Sequence, residues 1–251
     1  MKNNRLTVYA DLNCPFCYAL HERLVASDYI GRVDWRIIEH APQISFDTKD
    51  FQVQSELNAE VSKVEILAPD ITINVPSGRP NTHIANQILS EIQQNAPEQV
   101  DYFRALLYRA LWIDGMDISD PVTIEGLLRK AGVANPNIEQ STRTELQQWQ
   151  EEWEQGDFSR NIPALLTDDG NKLLGLPSPQ LLILFICGDH LNIGTESDAI
   201  CTLHPRQKII IATSDADLGQ NFPRYCATTK FRFTPITKRL SKWCSHPARR
   251  T

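Results

Sequence analysis

The residues in this sequence best suited to covalent chemistry are Cys14 and Cys17, two thiols separated by Pro15 and Phe16. They follow a short apolar run, Val8-Tyr9-Ala10, and precede a helical pattern. In a helix that begins at the first cysteine, unpaired backbone N–H groups and the positive end of the dipole favour the thiolate. A thiolate is the nucleophile of disulfide exchange, and a second thiol one turn along can attack the mixed disulfide and release the product. Pro15 fits the first helical position, where a missing N–H costs nothing. The same spacing also serves as half of a zinc site, which needs two further ligands, or as two inert core thiols. A strand before the pair and a helix after it favour redox chemistry.

The elements that must position this pair follow from the pattern. Leu6 to Ala10 reads as a first strand. Phe16, Leu20 and Leu24 recur at four-residue spacing and predict a helix that Gly31 ends. His21 falls a turn beyond Cys17 and reads as a surface histidine, with proton transfer as its functional alternative. Tyr18 packs near the motif or in the core. Val33 to Glu39 reads as a second strand, parallel to the first through a right-handed crossover.

Farther on, Phe51 to Val64 has a helical pattern and Ala68 to Pro80 reads as loop. His83 to Gln94 predicts a helix with Ile84, Ile88 and Ile92 on one face. After Pro97, the positions of Val100, Phe103, Leu107 and Leu111 continue in helical register. Asp120-Pro121 opens a further helix with an acidic cap, and Gly132 ends it. Ser141 to Gln155 is a polar helix with Leu146, Trp149 and Trp153 as its apolar stripe, best read as core packing. Asn161 to Thr167 reads as a strand with a proline near its start. Asp168 to Asn171 turns it back into Lys172-Leu173-Leu174. Pro179 opens an apolar helix, Gln180 to Cys187.

With 251 residues, the chain is long enough for a sizeable core. Its formal net charge of -6 argues against nonspecific nucleic-acid binding. The longest apolar run, Leu181 to Cys187, is far too short to span a membrane. The stretch after Lys2 and Arg5 is interrupted by Asp11 and does not read as a signal peptide. A cytoplasmic place is therefore expected, where the six cysteines stay mostly reduced rather than forming a disulfide framework.

In order, these features are a strand, a Cys-x-x-Cys helix, a strand, a helical insertion, an Ile-Pro strand, a hairpin and a helix. The chain resembles the DsbA-like thioredoxin-fold oxidoreductases of the FrnE and 2-hydroxychromene-2-carboxylate isomerase type. The resemblance is carried by Asp11-Leu12-Asn13-Cys14-Pro15-Phe16-Cys17-Tyr18, by Trp35-Arg36-Ile37-Ile38-Glu39, by Ala105 to Gly132 and by Asn161-Ile162-Pro163-Ala164. It implies an α/β thioredoxin fold over residues 1–190, with an all-helical insertion at about 44–156. It also implies a thiol–disulfide oxidoreductase in which Cys14 attacks and Cys17 resolves. Pro15, Phe16, Ile162 and Pro163 would then border the substrate, with a cis peptide bond before Pro163. Read from residues alone, Pro163 could equally open an ordinary edge strand. Isomerase and kappa-class glutathione transferase relatives usually carry serine where Cys14 stands, so a cysteine here favours redox chemistry. No cofactor or metal is expected, glutathione being a candidate co-substrate. The expected partners are protein or small-molecule disulfides and thiols, and a homodimer is one candidate assembly. A glutathione-dependent isomerase or transferase, or a non-catalytic binding module, is the alternative.

Residues 191–251 fall outside the resemblance and form an extension. Gln207 to Asp215 reads as a strand, Asp215 to Thr229 as an interrupted helix and Phe231 to Thr234 as a strand, a truncated receiver-like βαβ piece or a small appendage. Cys187 with His190, and Cys201 with His204, have zinc-ligand spacing, although a buried free cysteine at Cys187 is the simpler reading. Lys238 to Arg250 is a basic tail.

Overall fold

The computed structural model describes residues 6–42, 50–134, 136–186 and the short strand 200–202. All of these lie in the unit Met1–Gln207. The readings placed on Cys187, His190, His204 and residues 208–251 fall outside the described residues, as do the side chains of 200–202.

Strand β1 (Leu6–Ala10) leads into helix α1 (Pro15–Ala26), and a 3₁₀ turn (Ile30–Arg32) returns the chain to β2 (Val33–Ile37). Five helices follow: α2 (Phe51–Leu67), α3 (His83–Asn95), α4 (Pro97–Trp112), α5 (Pro121–Ala131) and α6 (Gln140–Gln155). The hairpin β3 (Ala164–Thr167) and β4 (Lys172–Leu174) then leads to α7 (Pro179–Ile186). Strand β5 (Ile200–Thr202), which the sequence reading did not identify, pairs antiparallel to β4. The sheet order is β2-β1-β3-β4-β5, with β1 parallel to β2 and antiparallel to β3. This is a thioredoxin-type α/β sheet with an all-helical segment inserted between β2 and β3.

Helix α1 is not amphipathic in the way its spacing suggests. Cys17, Tyr18, Ala19, Leu20, His21, Arg23 and Leu24 are all buried, because α2 and α4 of the insertion pack on the helix and Trp35 of β2 meets it at His21. His21 is therefore a core histidine, not a surface one, with its ring 5.7 Å from that of Trp35 and 5.0 Å from that of Tyr108. Burial holds its imidazole below the ordinary histidine range, with Glu22 as the partly compensating hydrogen-bond partner. Nor does Gly31 end the helix. Asp28 does so at φ 56°, with Tyr29 N–H reaching back to Leu24 O at 2.9 Å. A short polar side chain tolerates that left-handed position.

In the insertion, Asp120 caps α5 by accepting from Val122 and Thr123 N–H, and Gly132 closes it at φ 70°. On α3 the buried stripe is Ala85, Ile88, Leu89 and Ile92, whereas Ile84 is 44% exposed and lies off it. From α6, Trp149 and Trp153 pack with Tyr9, Ile38, Phe158, Ala164 and Leu174, so the expected core role of both tryptophans holds.

Candidate functional site

Cys14 is the N-cap of α1, and Pro15 occupies the first helical turn. Its Sγ accepts from Cys17 N–H at 3.4 Å, using one of the donors that a helix start leaves unpaired. Both thiols are free. Cys14 is 4% exposed and Cys17 is 0% exposed, so the first lies nearer the surface. Their ionisation is split. Burial pushes the Cys14 thiol up, but hydrogen bonding from the Cys17 thiol, the charge of His40 and the Cys17 N–H together bring it below the ordinary cysteine range. Burial, followed by the hydrogen bond and charge of Cys14, pushes Cys17 well above that range.

The loop that presents Cys14 is fixed from several distant elements. Asn13 donates to Pro80 O at 3.1 Å, and Arg79 donates to Asn13 O at 3.4 Å and to Glu60 at 2.6 Å. From α4, Tyr108 OH donates to Asp11 O at 3.3 Å and Trp112 Nε1–H to Leu12 O at 2.9 Å. Tyr18 is buried and donates to Thr72 O at 3.0 Å, so both of its expected placements apply. The inserted helices thus clamp the strand-to-helix turn through main-chain carbonyls.

The Ile162–Pro163 peptide bond is cis. The β1–β3 ladder ends at Tyr9 with Ala164, which brings Ile162 and Pro163 to the end of the sheet from which Cys14 emerges. Pro163 O accepts from Gly175 N–H at 2.8 Å. The Ile162 side chain packs against the Trp149 and Trp153 cluster, while its backbone has no hydrogen-bond partner among the described residues. Pro15 and Pro163 are buried, and Phe16 and Ile162 are half-buried. Beyond the end of β2, a cleft of about 680 Å³ lies between α3 and α6, lined by residues that include Ile38, Glu39, Asn86, Leu146 and Gln150.

The sequence reading missed His40, Thr82, Arg79, Tyr108 and Trp112. Each meets the Asp11-to-Cys14 turn across 29 to 100 residues of chain. The one local signal was Asp11, a charge that interrupts the apolar stretch directly after β1.

No family model and no curated protein sequence matches this chain. Solved structures do match in fold. One is a "putative protein disulfide isomerase" from Nitrosomonas europaea, with a TM-score of 0.59 at 15% identity, covering 74% of this chain and 96% of the other. Another is a probable DsbA oxidoreductase from Streptomyces coelicolor, with a TM-score of 0.55 at 15% identity, covering 80% and 99%. The chain shares the DsbA-like thioredoxin fold of these proteins.

Proposed function

We propose that this protein is a thiol–disulfide oxidoreductase that uses Cys14 and Cys17 on protein or small-molecule disulfides. The observation that carries this reading is Cys14 Sγ at the N-cap of α1, accepting from Cys17 N–H, with its ionisation eased while that of Cys17 is suppressed. In the reaction, the Cys14 thiolate attacks one sulfur of the substrate disulfide. A Cys14–substrate disulfide forms, and the other substrate sulfur leaves as a thiolate that takes a proton from solvent.

That first step consumes the negative charge on Cys14, which is one of the causes that keep Cys17 protonated. Cys17 then loses its proton more readily, and its sulfur attacks Cys14 Sγ. The Cys14–Cys17 disulfide forms as the second substrate thiolate departs and is protonated. The substrate is reduced to two thiols and the protein dithiol is oxidised by two electrons. Run backwards, the protein disulfide oxidises a substrate dithiol. Two molecules of a small thiol such as glutathione regenerate the dithiol by the same exchange and leave as their own disulfide, which makes that thiol the co-substrate in the reducing direction.

Pro15 and Phe16 form the surface beside the attacking sulfur. Ile162 offers backbone groups that are unpaired among the described residues to an extended substrate segment, with Pro163 beside it. The matching ends of β1 and β3 support this placement.

Reduction of insulin disulfides tests the reading. The wild-type protein accelerates it, Cys14→Ser abolishes the acceleration, and Cys17→Ser accumulates a mixed disulfide at Cys14. Full activity in Cys14→Ser overturns the assignment. Glutathione-dependent turnover that survives in that variant supports the isomerase or transferase alternative instead.

A further inference from the structure

Asp11 is a carboxylate with 1% exposure at the end of β1. Its Oδ1 accepts from Thr82 Oγ1–H at 2.8 Å and from Asn13 N–H at 3.4 Å. Its Oδ2 accepts from His40 twice, from the backbone N–H at 2.9 Å and from Nδ1–H at 2.8 Å. A carboxylate buried this deeply is costly unless a cation and hydrogen-bond donors offset its lost hydration. His40 is the ionisable base in contact with it. The two residues meet because β1 and β2 run parallel in register, a pairing that continues through Ile38 N–H to Ala10 O at 2.9 Å. Asp11 is also joined to the reactive turn, since its backbone C=O accepts from Cys14 N–H at 3.4 Å.

We propose that the buried Asp11–His40 ion pair, joined to the reactive turn through Asp11 C=O and Cys14 N–H, positions the reaction by holding a cationic imidazole that favours the Cys14 thiolate. The proposal rests on the dithiol reading above and adds two positioning residues to it. Nδ1 of His40 is committed to Asp11, so Nε2 is the nitrogen that gains or loses the proton. The charge can change while the ring stays on its carboxylate. Among the described residues, the charged groups that act most on His40 are Asp11, Cys14 and Arg79. Asp11 and Cys14 favour the imidazolium, and Arg79, from the segment between α2 and α3, opposes it. Burial also opposes it, yet the Asp11 hydrogen bond and charge prevail and raise the His40 pKa. Arg79 is itself paired with Glu60 of α2. After the Cys17 hydrogen bond, the charge of His40 helps to lower Cys14. At Cys17 the two effects of Asp11 oppose each other, its backbone hydrogen bond lowering the thiol and its charge raising it.

The test is the pH profile of Cys14 alkylation by iodoacetamide in the full-length reduced protein, read by peptide mapping. In His40→Gln, where a side-chain amide can still donate to Asp11, the midpoint rises. The rate below both midpoints falls by about tenfold, as expected for loss of a cation near an ionisable group. The rates converge above the higher midpoint, where both proteins carry the full thiolate. In His40→Lys the low midpoint is retained. The glutathione equilibrium at neutral pH moves toward the Cys14–Cys17 disulfide in His40→Gln, each tenfold change corresponding to about 30 mV.

A His40→Gln profile that superimposes on the wild type overturns the proposal. So does a rate lowered equally at every pH, which marks displacement of the loop rather than loss of charge. If wild-type Cys14 is itself unreactive at neutral pH and insulin is not reduced, the dithiol reading falls and this proposal falls with it. If wild-type Cys14 reacts and His40→Gln is unchanged, the ion pair alone is overturned.

Discussion

The side-chain amide of Gln150 pairs with both backbone groups of Glu39, accepting from its N–H at 2.9 Å and donating to its C=O at 3.2 Å. Glu39 lies just past β2, the outermost strand on that side, and these backbone groups face away from β1. Gln150, on α6, satisfies them as a further strand would, which closes part of an open sheet edge. The contact holds α6 against the strand end that leads to His40. Replacing Gln150 with Ala removes both bonds and returns two partly buried groups to water. The expected loss is about 1–3 kcal/mol, at roughly 0.5–1.5 kcal/mol per bond. Urea denaturation checks it, and an unchanged midpoint would show that water replaces the amide without cost.

Arg23 joins three segments from inside α1 and is only 5% exposed. It donates to Pro177 O at 2.5 Å, to Leu67 O at 3.0 Å and to both oxygens of Asp70, at 3.1 and 2.7 Å. Asp70 is substantially exposed, so the ion pair itself is worth little. The larger effect lies in the two carbonyls that Arg23→Ala would leave without donors. About 2–3 kcal/mol of destabilisation is expected. Arg23→Lys loses most of the same amount, since one ammonium cannot span the fork. Chemical denaturation of the two variants provides the measurement.

Much of the architecture was legible because it is written locally. A polar cap followed by proline marked α5, tryptophans at helical spacing marked the face of α6, and a polar turn marked the β3–β4 hairpin. The two thiols were legible for the same reason. The surroundings of the thiols were not. His21 and Arg23 look like the wet side of a helix when only the sequence around them is read. Arg23 is satisfied by segments far along the chain, whereas His21 has only its neighbour Glu22 at Nδ1 and no partner at Nε2 among the described residues. Asp11 gave a hint as the charge that interrupts the first apolar stretch, but nothing nearby identifies His40 and Thr82 as its partners. Ile84 shows the converse. Its spacing suits a stripe with Ile88, but the insertion packs on Ala85 and Leu89 instead.

Buried His21 should make the fold sensitive to mild acid. Burial lowers its folded pKa, while the unfolded chain titrates near the ordinary value of about 6.5. The unfolded state therefore binds the proton first as the pH falls. The contribution is fully present above that value and is lost as the pH drops toward the lowered folded value, at up to about 1.4 kcal/mol per pH unit. His40 has a raised folded value and acts in the opposite sense. His21→Phe keeps an aromatic ring beside Trp35 and Tyr108 and removes the titrating group. The difference in urea midpoint between pH 7 and pH 5 should shrink in this variant. An undiminished difference would assign the acid sensitivity to another group.

The reduced and oxidised proteins should differ in how their stability responds to pH. Cys14 ionises more easily folded than unfolded, so its contribution is complete above the unfolded cysteine value of about 8.5. It is lost as the pH falls through the lowered folded value. Cys17 is raised and acts the other way, but only as the pH climbs past the unfolded value. Between the lowered Cys14 value and about pH 8, Cys14 is therefore the thiol whose proton count differs between the folded and unfolded states. A protein holding the Cys14–Cys17 disulfide has no such proton to exchange. Across this window the stability of the dithiol form should rise relative to the disulfide form, at no more than about 1.4 kcal/mol per pH unit. Measuring both forms by urea denaturation in the same buffers cancels His21, which titrates in each. His40→Gln should narrow the window from below, because Cys14 then ionises at higher pH. Parallel stability curves for the two redox forms would mean that the folded structure gives Cys14 no preference for the thiolate.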